Sequence, residues 1–241
     1  MKTAPAFDAA RLEAVREMEA THFWFKGRRN LVMRLLNGCG GDPGVLLDAG
    51  CGTGHFVGHL RRLGYKAFGL DPLAMGTQAP LVCGQVENLP FHAATFDAVL
   101  LCDVLEHVED REALAEAWRV LRSRGWMVIT VPAHPWLWSH RDDSAGHRRR
   151  YTRRDLEVKV AAAGFRAIRV TYYQCLLFPL VVASRLLGGN ASRDAEDLPR
   201  PIVNRVMEWI TNFELILGRR LRLPWGSSLV MLAYKDVLHE H

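Results

Sequence analysis

The segment Leu47-Asp48-Ala49-Gly50-Cys51-Gly52-Thr53-Gly54 sets an acidic residue two positions ahead of three glycines at alternate positions. Glycines so placed allow a tight turn and let a ligand lie against bare backbone. A helix N-terminus beyond them favours a carboxylate or phosphate. A dinucleotide fingerprint reads GxGxxG, with its third glycine where His55 stands here; GxGxG therefore disfavours NAD while still pointing to a nucleotide-like ligand. Asp71 lies about 20 residues further on, the distance expected of a ribose-binding carboxylate, and two ribose hydroxyls suit one bidentate carboxylate.

Further along, Cys102 and Asp103 end an apolar run, and His107 follows within Leu105-Glu106-His107. An imidazole with an ordinary pKa of about 6.5 is a natural base for an oxygen or nitrogen nucleophile. His147 and Tyr151 belong to a loop expected to return over the same place. Cys102 reads as packing rather than as a nucleophile, because a lone strand-end thiol is usually buried. His134, His140 and Asp142 could be drawn as a metal trio, but neither HExxH nor paired CxxC spacing is present, so no metal is expected. Trp24, Phe25, Arg28 and Arg29 form an aromatic and basic cluster ahead of the glycine turn.

Alternating strands and helices must carry these residues. Residues 8–37 read as helix, with Leu12, Val15, Met18, Leu31, Val32, Leu35 and Leu36 at helical spacing and glycines closing it. Val45-Leu46-Leu47 is a first strand, residues 56–63 a helix, and 67–70 a second strand; 81–83, 96–102 and 126–131 are further strands, with a helix over 111–121. Residues 132–150 look irregular, and Thr152 caps a helix that runs to Gly164. A strand at 167–173, an apolar stretch to Leu187, a loop at 188–201, a helix at 202–219 and a strand at 227–234 complete the chain. This pattern calls for an α/β fold, a doubly wound and mostly parallel seven-stranded sheet with helices on both faces. The expected organisation is a single domain over 1–241, with an N-terminal helical cap at 1–41, a cofactor-binding core at 42–135 and a substrate side at 136–241.

A chain of 241 residues with 49% hydrophobic and 24% charged residues can bury its own core, which excludes disordered and fibrous classes. The net charge of +5 is concentrated in patches such as Arg148-Arg149-Arg150, which read either as a solvated basic face or as a site for phosphate or anionic head groups. Five cysteines without a CxxC pair, and a polar, charged start over residues 1–11, suggest a reducing cytoplasm. No run reaches the ~18 uncharged apolar residues of a spanning helix. Residues 171–187, flanked by Arg166, Arg169 and Arg185, suggest an apolar or lipid-linked partner met at the inner membrane face, or packing on the sheet edge.

The ordered motifs LDAGCGTG, GLDP, ENLPF and FDAVLLCDVLEHVED, with a strand ending in proline, resemble the core of the class I S-adenosylmethionine-dependent methyltransferases, particularly the small-molecule group. HFWFKGRRNLV, GHRRRYTRRDL and PWGSSLVMLAYK are similar to features of one bacterial subgroup. The resemblance implies that Asp48, Gly50, Cys51, Gly52 and Gly54 hold the methionine part of S-adenosylmethionine, that Asp71, followed by Pro72, takes the ribose, and that a carbonyl at Cys102–Asp103 meets the amino group. Gln85 stands where the family usually has an aspartate for the adenine amine, and Val86 offers a backbone N–H to an adenine ring nitrogen. The stretch 72–81 is short for the helix usually found there. The N-terminal helix, with Trp24 and Arg28, tends to close over the cofactor, and His107 resembles a histidine that lines the active site. A binding protein with a degenerate site and a nucleotide-dependent oxidoreductase remain alternatives. Nucleic-acid base methylation is disfavoured, because Cys102-Asp103-Val104-Leu105 replaces an NPPY-type tetrapeptide. The implied acceptor is a small molecule or lipid-linked compound.

Overall fold

The computed structural model describes residues 15–16, 18–40, 44–74, 80–186, 199–218 and 223–236. Its strands are β1 (Val45–Ala49), β2 (Lys66–Asp71), β3 (Leu81–Cys83), β4 (Phe96–Cys102), β5 (Leu121–Pro132), β6 (Arg166–Tyr173) and β7 (Ser228–Tyr234). They form one seven-stranded sheet in the order β3-β2-β1-β4-β5-β7-β6. The first five run parallel, and β7 is antiparallel to both β5 and β6. The sheet winds outward in both directions from the β1–β4 pair, and ligands of open α/β sheets bind beyond the carboxyl ends of strands at such a switch.

The helices are α1 (Phe23–Asn37), α2 (His55–Arg62), α3 (Asp110–Val120), α4 (His140–Ala145), α5 (Arg153–Ala162), α6 (Phe178–Leu186) and α7 (Pro201–Leu217). Side chains alternate across a strand, so each strand feeds two layers. Leu47, Val99, Leu101, Met127 and Ile129 meet Leu114 and Ala117 of α3 and Leu156 and Val160 of α5. Leu46, Leu100, Val128 and Val230 meet Val32 and Leu36 of α1, Val57 and Leu60 of α2 and Leu215 of α7. With helices on both faces, β4 is buried almost throughout, which is why FDAVLLC reads as a continuous apolar run rather than an alternating one.

Four elements depart from the sequence reading. The expected helix over 8–37 breaks before Phe23: His22 takes extended dihedrals and its ring accepts the Trp24 N–H. Asn204 of α7 clamps the break, accepting from the Phe23 N–H at 2.9 Å and donating to the Thr21 carbonyl at 2.9 Å. That clamp comes from 181 residues away and leaves no local signal. β5 starts at Leu121, because Leu121 pairs with Phe96 before a register shift carries the strand on to Trp126. The irregular stretch contains a 3₁₀ turn at Pro135–Leu137 and α4, whose Ser139–Asp142 capping box supports a helix too short to show periodicity. The apolar stretch is split among β6, a turn and α6. Residues 187–198 lie outside the described residues, as does most of the expected loop at 188–201. Among the described residues, no helix is long and apolar enough to cross a membrane.

Candidate active site

The glycine turn joins β1 to α2 at the switch point. Gly50 and Cys51 both donate to the Leu70 carbonyl of β2, at 2.7 and 3.0 Å, which ties the turn to the neighbouring strand. Gly50, Gly52 and Gly54 have φ of +83°, +54° and +74°, left-handed values that L side chains rarely adopt. A Cβ on Gly50 would fall 2.4 Å from Val104 Cγ2, and one on Gly54 2.8 Å from Leu81 Cδ1. Sequence and sterics thus agree on a cradle of bare backbone.

Asp71, at the end of β2, accepts the Gly52 N–H at 2.9 Å on one oxygen and the Leu73 N–H at 2.9 Å on the other. A carboxylate has about four lone-pair positions, so one on each oxygen remains for two hydroxyls. Asp48 is buried beneath the turn. Burial pushes its carboxyl up to about 7 against the pull of Arg28, and Glu19 and Asp71 add to the rise. A raised carboxyl stabilises the fold fully below its ordinary 3.8, and that contribution is lost as pH climbs to about 7. Thermal melts of Asp48→Asn against the native chain should therefore differ most in their slope across this window, with the asparagine variant flatter. Parallel curves would contradict the assignment.

The N-terminal segment lies over the turn. Glu19 is buried and accepts a hydrogen bond from the Thr53 hydroxyl, a contact that no local pattern announces. Arg28 of α1 pairs with Asp103 and lies 3.4 Å from the Cys102 carbonyl, with its guanidinium 4.7 Å from the Trp24 ring centroid. Burial works against the Arg28 charge, yet Asp103 overrides it and holds the group protonated. Asp103 itself has φ of +57°, kept there by its N–H to the Thr130 carbonyl and by the Thr130 hydroxyl. A strained non-glycine residue at a strand's carboxyl end is a common mark of a working site. Glu19, Phe25, Arg28, Arg29, His55 and Phe56 line a narrow cleft of about 10 Å³ over the turn, partly open to solvent. That is room for about one water molecule, so admitting a nucleoside requires these N-terminal contacts to give way. Cys51 and Cys102 are buried, and burial pushes both thiols far up, which removes them as nucleophiles.

On the adenine side, Val86 is buried while Gln85 is exposed, its backbone bridging to Asn88. Pro72 is exposed and its carbonyl accepts from the Cys83 thiol at 3.3 Å. The shortened stretch 72–81 falls partly on residues 75–79, outside the described ones.

The loop at 146–151 does return to the carboxyl edge. Tyr151 bridges Ala133, and the Arg148 N–H donates to the Glu106 carbonyl at 2.7 Å. His107 and His147 meet edge-on at 4.9 Å. Beside them Glu106 is fully buried, its carboxylate oxygens meet no donor among the described residues beyond its own backbone N–H, and burial with Asp103 nearby holds its carboxyl well above the usual range. Nothing in LEH announces this, because the companion His147 comes from 40 residues on.

Tyr151 must be removed from the catalytic candidates. It is fully buried, and its hydroxyl, with one proton to give, lies 3.0 Å from both the Leu105 carbonyl and Asp110. Tyr151→Phe should cost about 1–2 kcal/mol of stability by chemical denaturation while leaving turnover per folded molecule intact. A collapse of turnover in a folded variant would return Tyr151 to the chemistry. The basic run beside it is also spent internally. Arg148 pairs with Glu109, Arg149 with Asp110, and Arg150 with buried Asp142, which further takes Arg185 and His147. Arg150 is thereby buried and Arg149 half-buried, while Arg148 stays exposed beside Glu109. With Asp142 so engaged and His134 stacked on Tyr172, the trio His134, His140 and Asp142 does not assemble.

Against known proteins, the model of a methyltransferase domain matches residues 20–170. A probable S-adenosylmethionine-dependent methyltransferase of Mycolicibacterium smegmatis is 26% identical over 155 residues, which cover 60% of each chain. A ubiquinone biosynthesis O-methyltransferase of Methylocella silvestris is 34% identical over 114 residues, 42% of this chain and 43% of that one. The chain thus spans three fifths or less of the length of these relatives. Among solved structures, the 1,6-didemethyltoxoflavin-N1-methyltransferase of Burkholderia thailandensis, with S-adenosylhomocysteine bound, has a TM-score of 0.57 at 19% identity, covering 95% of this chain and 89% of that one. A Thermotoga maritima S-adenosylmethionine-dependent methyltransferase gives 0.58 at 20%, covering 93% and 98%. The strand order, the glycine turn with its paired aspartate and the match over residues 20–170 place this chain in the class I S-adenosylmethionine-dependent methyltransferase family.

Proposed function

We propose that the protein moves a methyl group from S-adenosylmethionine to a small-molecule or lipid-linked acceptor. The observation that carries this reading is the Asp71 carboxylate, held against the glycine turn with a lone pair left on each oxygen. The cofactor supplies, when bound, a methyl already activated on a sulfonium, so the protein's work is alignment and exclusion of water. Asp71 accepts the ribose hydroxyls, with Pro72 turning the chain away behind it. Gly50, Cys51, Gly52 and Gly54 give backbone to the methionine part, and Asp48 beneath them offers a carboxylate whose ionised form a cation favours. The Cys102 carbonyl and Asp103, now engaged by Arg28, suit the amino group, which frees Arg28 for the methionine carboxylate. The Trp24 face suits positive charge. The Val86 N–H and the Gln85 amide serve the adenine, with looser selection than an aspartate provides.

The acceptor enters from the carboxyl edges of β4, β5 and β6, where Trp136, Leu176 and Leu180 expose apolar surface. That edge suits a hydrophobic body, in line with relatives named for ubiquinone biosynthesis and for toxoflavin methylation. His107 and His147 stand beside the nucleophile and promote the loss of its proton. His107→Ala should lower kcat by about 10²-fold or more with cofactor affinity nearly unchanged, as expected of a group that acts in the transition state. Normal turnover in that variant would reduce His107 to a structural residue. Mass spectrometry of ligand co-purified with the protein identifies the acceptor.

A further inference from the structure

We infer that Glu106, His107 and His147 form a binding site for a divalent cation that holds an oxygen of the acceptor. A carboxylate oxygen of Glu106 and one ring nitrogen from each histidine lie within 4.8 Å of one another. Ligands about 2.1 Å from a shared tetrahedral ion stand ~3.4 Å apart, so the widest of these separations must contract by up to about 1.4 Å, within reach of side-chain rotation, to close the site. Glu106 supplies the second, independent sign. It has 0% exposure, and its oxygens meet no donor among the described residues beyond the backbone N–H of Glu106 itself. A buried carboxyl group with so few donors is costly to keep, and a cation is the ligand that compensates it.

The surroundings of both imidazoles agree. His147 Nδ1 lies 2.9 Å from Asp142 Oδ1, and His107 Nδ1 lies 3.3 Å from the Gly146 carbonyl. Metal-bound histidines commonly give their other ring N–H to a carboxylate or carbonyl in this way, which fixes the orientation of the ring. Asp142 is in turn anchored by Arg150 and Arg185, so His147 is held by a rigid base. Two nitrogens and one carboxylate oxygen suit zinc, cobalt, iron or manganese, and three protein ligands leave room for an external one. The trio stands just past Asp103 at the carboxyl end of β4, so an oxygen bound there lies on the acceptor's side of the sheet. The external ligand is accordingly a hydroxyl, phenol or enol oxygen. This last step rests on the methyltransferase reading; the cation site does not.

The test uses the full chain stripped with a chelator and titrated with Co²⁺, read by its visible absorption, with Zn²⁺ competition by calorimetry. We expect one Co²⁺ per chain, displaced by Zn²⁺, without the thiolate charge-transfer band that exposed Cys83 would produce. Glu106→Gln, close in shape and unchanged in melting temperature, and His147→Ala should each weaken binding about tenfold or more. No saturable binding by the native chain, a thiolate band, or native affinity in both folded variants would overturn the site. S-adenosylmethionine binding is measured on the same samples. If it persists while Co²⁺ fails to bind, the cation inference alone falls; if Co²⁺ binds and S-adenosylmethionine does not, the site stands and its assignment to methyl transfer falls.

Discussion

Asp71→Ala is expected to weaken S-adenosylmethionine binding by about 100-fold. Two hydrogen bonds from ribose hydroxyls to a charged acceptor, each at the low end of ~1.5–3 kcal/mol, amount to about 3 kcal/mol, or two decades of affinity. Asp71→Asn keeps one acceptor oxygen but loses the charge, and should cost about tenfold by the same reasoning. Because Asp71 also accepts the Gly52 and Leu73 N–H groups, both variants should melt lower, and affinity must be read well below the transition. Unchanged affinity in folded Asp71→Ala would remove the ribose assignment.

Gly50→Ala carries the other large effect. Its φ of +83° costs an L residue about 1–2 kcal/mol, and a Cβ 2.4 Å from Val104 Cγ2 adds overpacking of about 1–3 kcal/mol. The expected loss is about 2–5 kcal/mol by denaturant unfolding, as the sum of these two terms. A second substitution, Val104→Ala, removes the steric part and not the dihedral part, so the double variant should recover some of the loss relative to the sum of the singles. Additive losses would mean that Val104 does not press on the turn.

The chain declares its fold where local pattern and tertiary burden coincide. β4 is apolar throughout because both of its faces are covered, and Asp48 to Gly54 must be glycine-rich because the backbone there is left-handed and crowded by Val104 and Leu81. Asp71 could be picked out because its distance from the glycine turn is set by one helix and one strand. What stayed hidden depends on partners far away in the chain. The break at His22 is held by Asn204, Glu19 reaches Thr53 only after that break bends the chain, and Glu106 meets His147 only because residues 146–151 fold back along β5. Arg148, Arg149 and Arg150 read as surface charge because their acidic partners, Glu109, Asp110 and Asp142, lie outside any helical or strand spacing from them. Tyr151 looked available for chemistry for a similar reason, since its burial follows from the bridge to Ala133.

The central claim is that the cleft over the glycine turn takes S-adenosylmethionine rather than a dinucleotide. Isothermal titration of the native chain with S-adenosylmethionine, and separately with NAD, tests it most directly. The account predicts saturable binding of S-adenosylmethionine at a single site, competed by S-adenosylhomocysteine, with no heat from NAD. Saturable NAD binding, or no binding of S-adenosylmethionine by the folded protein, would contradict it.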